Sequence, residues 1–128
     1  MATILIIEDT PANMKLAVML LQNAGHEPLC ATDAETGLAM AHASRPDLIL
    51  MDIQLPGMDG LTATALLKKA PATASIPVIA LTAMALSADR ARSLEAGCNG
   101  YIAKPLRYKE LYAAIDALLA PPARIRAT

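Results

Sequence analysis

Five polar residues, each following an apolar stretch of strand length, are the candidates for chemistry in this sequence: Glu8, Asp9, Asp52, Thr82 and Lys104. Asp52 is the most informative because it ends an unbroken apolar run and is followed at once by turn-forming residues. Such a run is typical of a strand buried on both faces, and a carboxylate at its C-terminal end lies where α/β sheets bind their ligands. We therefore expect Asp52 to be functional.

The three carboxylates predict a divalent cation if they share one crevice. Two like charges about 4 Å apart repel by roughly 4 kcal/mol at an effective dielectric of 20, so a counter-charge is needed. Lys104 would supply one positive charge, and a hard cation would supply the rest. Oxygen ligands suit Mg²⁺, for which Mn²⁺ is a substitute. A cation and an ammonium beside a fixed carboxylate also suit phosphoryl transfer, with Asp52 as the nucleophile and Glu8 and Asp9 on the metal side.

The elements that must position these residues follow from hydrophobic periodicity. Apolar segments of strand length alternate five times with longer segments of helical period. We predict strands over 3–7, 27–31, 47–52, 76–82 and 101–103, and helices over 11–24, 34–44, 59–69, 87–96 and 108–119. Strict alternation implies a doubly wound α/β sheet of parallel strands with helices on both faces. Ligands of such sheets bind at the carboxyl ends of the strands, so the five polar residues should converge there.

Local signals support the helix boundaries. Thr10 is an N-cap candidate, with Pro11 in the first helical position. Thr32 and Glu35 have the spacing of a capping box that would open the second helix. Pro77 is tolerable in the fourth strand only near its first residue.

Bulk properties limit the function further. The 128 residues suffice for one domain with a sizeable core, and we expect it to span residues 1–120, followed by a short tail at 121–128 and no output domain. With 11 basic and 12 acidic residues, the net charge of -1 offers no attraction to nucleic acid or to an anionic membrane. The N-terminus has no basic region of a signal peptide, and no apolar stretch is long enough to span a bilayer. We therefore expect a cytoplasmic protein.

The cysteines and histidines predict no metal site. Cys30 and Cys98 lie in no CxxC or metal-ligand spacing, and His26 and His42 are isolated from each other and from both cysteines. We interpret the cysteines as small buried hydrophobic residues in a reducing compartment.

Four separated motifs resemble the receiver domain of two-component response regulators. They are Ile7-Glu8-Asp9, the run 47–60 that ends in Pro56-Gly57-Met58-Asp59-Gly60, Ala80-Leu81-Thr82-Ala83, and the stretch 97–105 that ends in Ala103-Lys104-Pro105. The resemblance covers essentially the whole chain. It implies the flavodoxin-like fold of that family, with five helices around a five-stranded sheet of order 2-1-3-4-5.

The resemblance assigns a role to each motif residue. Asp52 would accept a phosphoryl group from a sensor histidine kinase or a histidine phosphotransfer protein. Mg²⁺ would be held by Glu8, Asp9, the Asp52 carboxylate and the backbone carbonyl of Gln54. The protein would act in signalling, with only self-phosphorylation and slow autodephosphorylation as its own chemistry.

The phosphoryl oxygens would be contacted by Thr82 and Lys104, and a cis Lys104–Pro105 peptide bond would aim the lysine. Tyr101 looks like the aromatic switch of the family, which rotates inward when Thr82 moves towards the phosphate. Gln54 and Met84 resemble the variable positions that modulate the lifetime of the phosphate.

Two surfaces are candidates for partner binding. On the first helix Leu16 and Leu20 belong to the buried face, whereas Met14, Val18 and Leu21 form a second apolar line. This second line is either a wide core contact or, through Met14 and Val18, a docking site for histidine-bearing helices. The fourth helix, fifth strand and fifth helix, with Leu86, Arg90, Tyr101 and Tyr108, resemble the output face of the family.

The stretch 8–16 and the run 52–56 look most like cell-division regulators of the DivK type, although receivers attached to hybrid kinases share that look. We expect a stand-alone receiver, monomeric or weakly dimeric, that acts on a downstream protein through its output face.

Other functions are less consistent with the motifs. A phosphatase of the haloacid-dehalogenase type requires an Asp two residues after the nucleophile, where Gln54 stands. A flavin-binding module of similar topology needs a phosphate-cradling loop after the first strand, where Glu8 and Asp9 would repel phosphate in the absence of metal. A degenerate receiver that acts only as an interaction module, and a receiver that acts mainly as a phosphate sink, remain alternatives.

Overall fold

The computed structural model describes residues 2–83 and 87–119; for residues 87–89 it describes the backbone alone. The elements are β1 (Thr3–Ile7), α1 (Pro11–Asn23), β2 (Glu27–Ala31), α2 (Ala34–Ser44), β3 (Leu48–Asp52), α3 (Gly60–Lys69), β4 (Val78–Thr82), α4 (Ser87–Ala96), β5 (Gly100–Ala103) and α5 (Tyr108–Leu119). The roles expected for Met84 and Leu86, and the tail at 121–128, fall outside the described residues.

The strands form one parallel sheet of order β2-β1-β3-β4-β5, so the fold predicted from the alternation and the resemblance is confirmed. Every residue of β3 and β4 is buried, which explains why these strands are continuous apolar runs. The register pairs Ile7 with Met51 and Asp52 with Leu81, so the carboxyl ends of β1, β3 and β4 lie side by side.

Two apolar layers cover the sheet. One layer joins Leu5 and Ile49 to α2 and α3 through small residues such as Ala41 and Ala63. The other joins Ile6 and Leu50 to α1 and α5. The alternation of side chains along each strand divides the core between the two faces of the sheet.

Five predicted boundaries and one predicted cap were wrong in detail. α1 ends at Asn23, β3 begins at Leu48 and β5 begins at Gly100, each one residue from the predicted position. The N-cap of α2 is Asp33, whose side chain accepts a hydrogen bond from Thr36 N at 2.7 Å, so the predicted capping box at Thr32 does not form the cap. An aspartate one position later competes for the same role, because a short carboxylate reaches the free amides of the first turn. β4 begins at Val78, so Pro77 precedes the strand. α3 begins at Gly60, with Asp59 as its N-cap.

The prediction that both cysteines are buried is wrong for Cys30. Cys98 lies in the core, whereas Cys30 is exposed on β2. β2 is an edge strand in which only the last residue, Ala31, is buried. Within the described residues, none of the helices combines the length and apolar character needed to cross a membrane.

Candidate functional site

Three carboxylates meet at the carboxyl edge of the sheet. Glu8 and Asp9 follow β1, and Asp52 ends the neighbouring strand β3. One potential ligand oxygen from each lies within 4.8 Å of the others. Glu8 and Asp52 are buried, at 1% and 2% exposed, whereas Asp9 is exposed. The sheet topology therefore gathers residues that are more than forty positions apart in the sequence.

Lys104 bridges the two buried carboxylates. Its Nζ atom is 2.8 Å from Glu8 Oε1 and 3.2 Å from Asp52 Oδ2. Lys104 follows β5, and its backbone amide donates a hydrogen bond to the carbonyl of Thr82 at 2.6 Å, so the lysine is anchored to the end of β4. The Lys104–Pro105 peptide bond is cis, the geometry that the resemblance implies.

Backbone amides hold the carboxylates in place. Gln54 N donates to Asp52 Oδ1 at 3.0 Å, and Thr10 N donates to Glu8 Oε2 at 3.1 Å. Each buried carboxylate thus has one oxygen on an amide and the other on the Lys104 ammonium. This arrangement fixes both side chains before any ligand arrives.

The pKa values of the two buried acids move in opposite directions. Burial raises the pKa of Asp52 to about 6, and its interaction with Glu8 adds to the rise, against the hydrogen bond from Gln54 and the charge of Lys104. Burial also acts to raise the pKa of Glu8, but hydrogen bonds from Lys104 and Thr10 outweigh it and hold that pKa below its ordinary value. The pKa of Lys104 is raised by the two carboxylates despite its burial. The ionised form of Glu8 is therefore stabilised more than the ionised form of Asp52.

The donor set fits Mg²⁺. Glu8, Asp9 and Asp52 offer only hard oxygen ligands at one point, and the partial compensation of Asp52 leaves negative charge for a cation to neutralise.

The other residues predicted for the site and the output face differ in how much of each is exposed to solvent. Thr82 is buried at the end of β4, one position beyond the register partner of Asp52. The side chain of Gln54 is exposed. Tyr101 is half-buried on β5, packs against the core, and has the Arg90 guanidinium carbon 5.8 Å from its ring centroid. Tyr108 is 54% exposed, so within the expected output face two tyrosines are at least partly accessible.

Met14 and Val18 are half-buried on α1, where both pack against the core. Leu21, the third residue of that apolar line, is fully buried. The line therefore descends into the core along the helix, and only its N-terminal part is accessible. Met19, which the sequence did not single out, is the exposed large apolar residue of α1, at 51%.

Two contributors to the site were not predicted. The amide of Thr10 binds Glu8, although Thr10 was singled out only as a helix cap, and its side chain makes no capping hydrogen bond. Gly60 packs against the backbone at Asp52. A glycine at the first position of a helix, where better helix formers are available, is the sequence signal that points to such a close approach.

The fold and site together define a class of protein: a doubly wound α/β domain with an acidic cluster and a lysine at the carboxyl edge of its sheet. The family model of the response regulator receiver domain matches residues 4–116, and the chain belongs to that family. Receiver domains are signalling domains of two-component systems, as the motifs predicted.

Two curated relatives and one solved structure illustrate the similarity. The chain is 40% identical to the polar-differentiation response regulator DivK of Brucella anthropi over 117 residues, which cover 91% of this chain and 95% of DivK. It is 39% identical to the response regulator PleD of Caulobacter vibrioides over 91% of this chain, but spans only 26% of PleD.

The receiver domain of a sensor histidine kinase from Pseudomonas aeruginosa superposes with a TM-score of 0.87 at 35% identity, covering 94% of this chain and 98% of that domain. That structure has a magnesium ion coordinated in its active-site cleft. A regulator of the DivK type is thus found among the curated relatives, and a receiver that belongs to a histidine kinase is found among the similar structures.

Proposed function

We propose that Asp52 accepts a phosphoryl group from a phosphohistidine, in a reaction that requires Mg²⁺. The observation that carries the proposal is the Lys104 ammonium between the buried carboxylates of Glu8 and Asp52, with the third carboxylate, Asp9, beside them. A charge distribution of this kind is typical of sites that bind a cation and an anionic group together. The partners would be a sensor histidine kinase or a histidine phosphotransfer protein in the cytoplasm.

Mg²⁺ would be held by Glu8, Asp9, the Asp52 carboxylate and the Gln54 carbonyl, and Mn²⁺ is expected to replace it. When bound, the cation neutralises phosphoryl oxygens and favours the ionised form of Asp52. The magnesium-containing receiver from Pseudomonas aeruginosa supports this proposal.

The residues of the chain prepare an in-line displacement. An Asp52 oxygen forms the new bond to phosphorus while the bond between phosphorus and the histidine nitrogen breaks, and the imidazole keeps the electron pair. Lys104 and the hydroxyl of Thr82 would bind the equatorial phosphoryl oxygens. The amide of Gln54 holds Asp52 Oδ1 at 3.0 Å, so the nucleophile is oriented before the donor binds.

Phosphorylation would be transmitted through Thr82 and Tyr101. A phosphoryl group adds about -1.5 to -2 charges and would draw the Thr82 hydroxyl towards it. Tyr101, which is only half-buried, would then rotate inward and change the surface of α4, β5 and α5 that contacts the downstream protein. Gln54, exposed beside Asp52, and Met84 would set how fast water removes the phosphate.

The phosphodonor would dock on the accessible part of α1 through Met14 and Val18. Both are half-buried on α1, the helix that directly follows Glu8 and Asp9, so a helix bound along α1 would lie next to the site.

The proposal is tested with small phosphodonors. Incubation with acetyl phosphate should give one adduct by intact mass, and beryllofluoride should give a complex that is detected by NMR, each in the presence of Mg²⁺ and neither in EDTA. The adduct should be absent in Asp52→Asn, which keeps the size of the side chain but has no nucleophilic carboxylate. Asp47→Asn is the matched control, because Asp47 lies beyond the opposite end of β3 and binds Thr3 N at 2.8 Å. An adduct that persists in Asp52→Asn, or none in the wild type, contradicts the proposal; the latter favours the degenerate receiver.

A further inference from the structure

Gly60 lies where the first turn of α3 touches the backbone of the phosphorylation site. Its amide donates a hydrogen bond to the Ile53 carbonyl at 3.0 Å, and its own carbonyl accepts one from the buried Thr64 hydroxyl at 2.8 Å. Asp59 caps the helix by accepting a hydrogen bond from Thr62 N at 2.8 Å. The first turn of α3 is therefore fixed directly against the segment 52–54.

The space at Gly60 admits no side chain. A Cβ atom there would overlap the carbonyl oxygen of Asp52 and lie 2.9 Å from both the Asp52 carbonyl carbon and Ile53 Cα. Gly60 does not belong to the glycines with positive φ, so the reason for glycine is the close approach and not the backbone conformation. All six glycines are described, and Gly60 is the one whose added Cβ would meet backbone atoms; at Gly37 and Gly97 the obstacle is a side chain.

The segment 52–54 cannot yield without moving the site. Ile53 N is bound to the Leu81 carbonyl at 2.9 Å, and Gln54 N is bound to Asp52 Oδ1 at 3.0 Å. A shift of this backbone therefore displaces both the Asp52 carboxylate and the Gln54 carbonyl, which the proposed function assigns to Mg²⁺.

We propose that Gly60 is a positioning residue that sets the geometry of the Asp52–Gln54 segment, and through it the preference of the site for Mg²⁺. The inference rests on the proposed function for the identity of the metal ligands. Mg²⁺ requires nearly ideal octahedral geometry at short distances, whereas Ca²⁺ accepts longer and more variable ones. A displacement of these two ligands should thus weaken the binding of Mg²⁺ far more than the binding of Ca²⁺.

The test is Gly60→Ala, with calorimetric titration of Mg²⁺ and Ca²⁺ and the position of the Gln54 amide resonance in the metal-free protein. We expect Mg²⁺ affinity to fall by about tenfold or more, as is typical when support for ligands is removed, and Ca²⁺ affinity by less than about threefold. The Gln54 resonance should move. Gly25→Ala is the control, because it strains a glycine with φ of 85° far from any contact and leaves the site untouched.

Unchanged Mg²⁺ affinity and an unmoved Gln54 resonance in Gly60→Ala overturn the inference. Should this variant not fold, the pair Asp59→Ser and Asp59→Ala replaces it, since both remove the charge but only serine retains a capping oxygen. We expect weaker Mg²⁺ binding in the alanine variant, and equal affinities overturn the inference. A wild type that binds Mg²⁺ but forms no adduct contradicts the proposed function alone.

Discussion

At the scale of single residues, the site is an incompletely neutralised pair of acids. The Lys104 ammonium lies closer to Glu8 than to Asp52, at 2.8 Å and 3.2 Å. Glu8 consequently keeps its charge, whereas burial raises the pKa of Asp52 to about 6. A cation bound here would lower the pKa of Asp52 and favour its ionised form, so under the proposed function metal binding and the state of the nucleophile are coupled through one carboxylate.

This imbalance predicts how stability depends on pH without metal. The pKa of Asp52 rises from 3.8 to about 6 on folding, so between these values the folded state holds more protons than the unfolded state. Asp52 therefore lowers the free energy of unfolding as the pH rises through this window, by about 3 kcal/mol at most. The lowered pKa of Glu8 acts in the other direction: its stabilisation is complete above the ordinary value of 4.5 and is lost as the pH falls below it, so the two effects overlap only in the lower part of the window.

The measurement is urea unfolding in EDTA, followed by circular dichroism, for the wild type and Asp52→Asn at several pH values from about 4 to 7. The difference in unfolding free energy between the two proteins should change in favour of Asp52→Asn as the pH rises. Excess Mg²⁺ should remove that trend, because the bound ion compensates the carboxylate. A constant difference across the window contradicts the raised pKa.

At the scale of elements, N-caps decide where the helices begin and so where the loops around the site lie. Asp33 and Asp59 each accept a hydrogen bond from the amide three residues later, at 2.7 Å and 2.8 Å. Only the second of these caps supports the segment beside Asp52. The two N-caps have similar geometry, but only the cap of α3 affects the candidate site, because α3 contacts the segment beside Asp52.

The structure predicts a clear difference between neighbouring residues at the start of α2. Asp33→Ala removes two hydrogen bonds, to the amide and the hydroxyl of Thr36, and should lower the melting temperature by roughly 2–5 °C. Thr32→Ala should change it by less than about 1 °C. The melting temperatures are measured by circular dichroism. A larger decrease in Thr32→Ala than in Asp33→Ala would contradict the Asp33 cap and support the capping box predicted from the sequence. Adduct formation with acetyl phosphate should be retained in both variants.

At the scale of the whole molecule, the residues of the candidate site lie at the carboxyl ends of the strands, and the proposed contact surfaces lie mainly on the helices around the sheet. α1 follows Glu8 and Asp9 at the end of β1, whereas Tyr101 lies on β5 with Arg90 of α4 beside its ring. The proposed donor surface and the proposed output surface therefore lie on different elements of the fold.

The docking proposal predicts that Val18→Asp reduces phosphotransfer from an autophosphorylated histidine kinase by at least about tenfold, because an unpaired carboxylate would enter the contact. Phosphorylation by acetyl phosphate needs no docking and is the internal reference, so the ratio of the two rates separates docking from folding. Met19→Asp is the control on the same helix, since Met19 is already 51% exposed. An unchanged ratio in Val18→Asp contradicts docking at this position.

Sequence alone determined the order of elements and the candidate residues of the site. The apolar runs and their spacing sufficed for the doubly wound α/β class, because parallel strands buried on both faces leave little choice of pattern, whereas the strand order was inferred from the resemblance to receivers. The sequence indicated that Asp52 is functional because an ionisable residue is costly at the end of a buried apolar run. The boundaries of helices and strands were predicted less accurately than their order, as Thr32 and Pro77 show, because adjacent residues compete for the same cap or strand end.

Only the tertiary structure decided which groups touch. No pattern in the sequence states that Lys104 bridges Glu8 and Asp52, that the Thr10 amide binds Glu8, or that α3 leaves no room for a side chain at Gly60. The contacts of Lys104 join positions far apart in the chain, and the distances in the local contacts of Thr10 and Gly60 also depend on how the elements pack. Local chemistry therefore identified the candidate residues, whereas packing set the distances, and with them the charge that Asp52 carries.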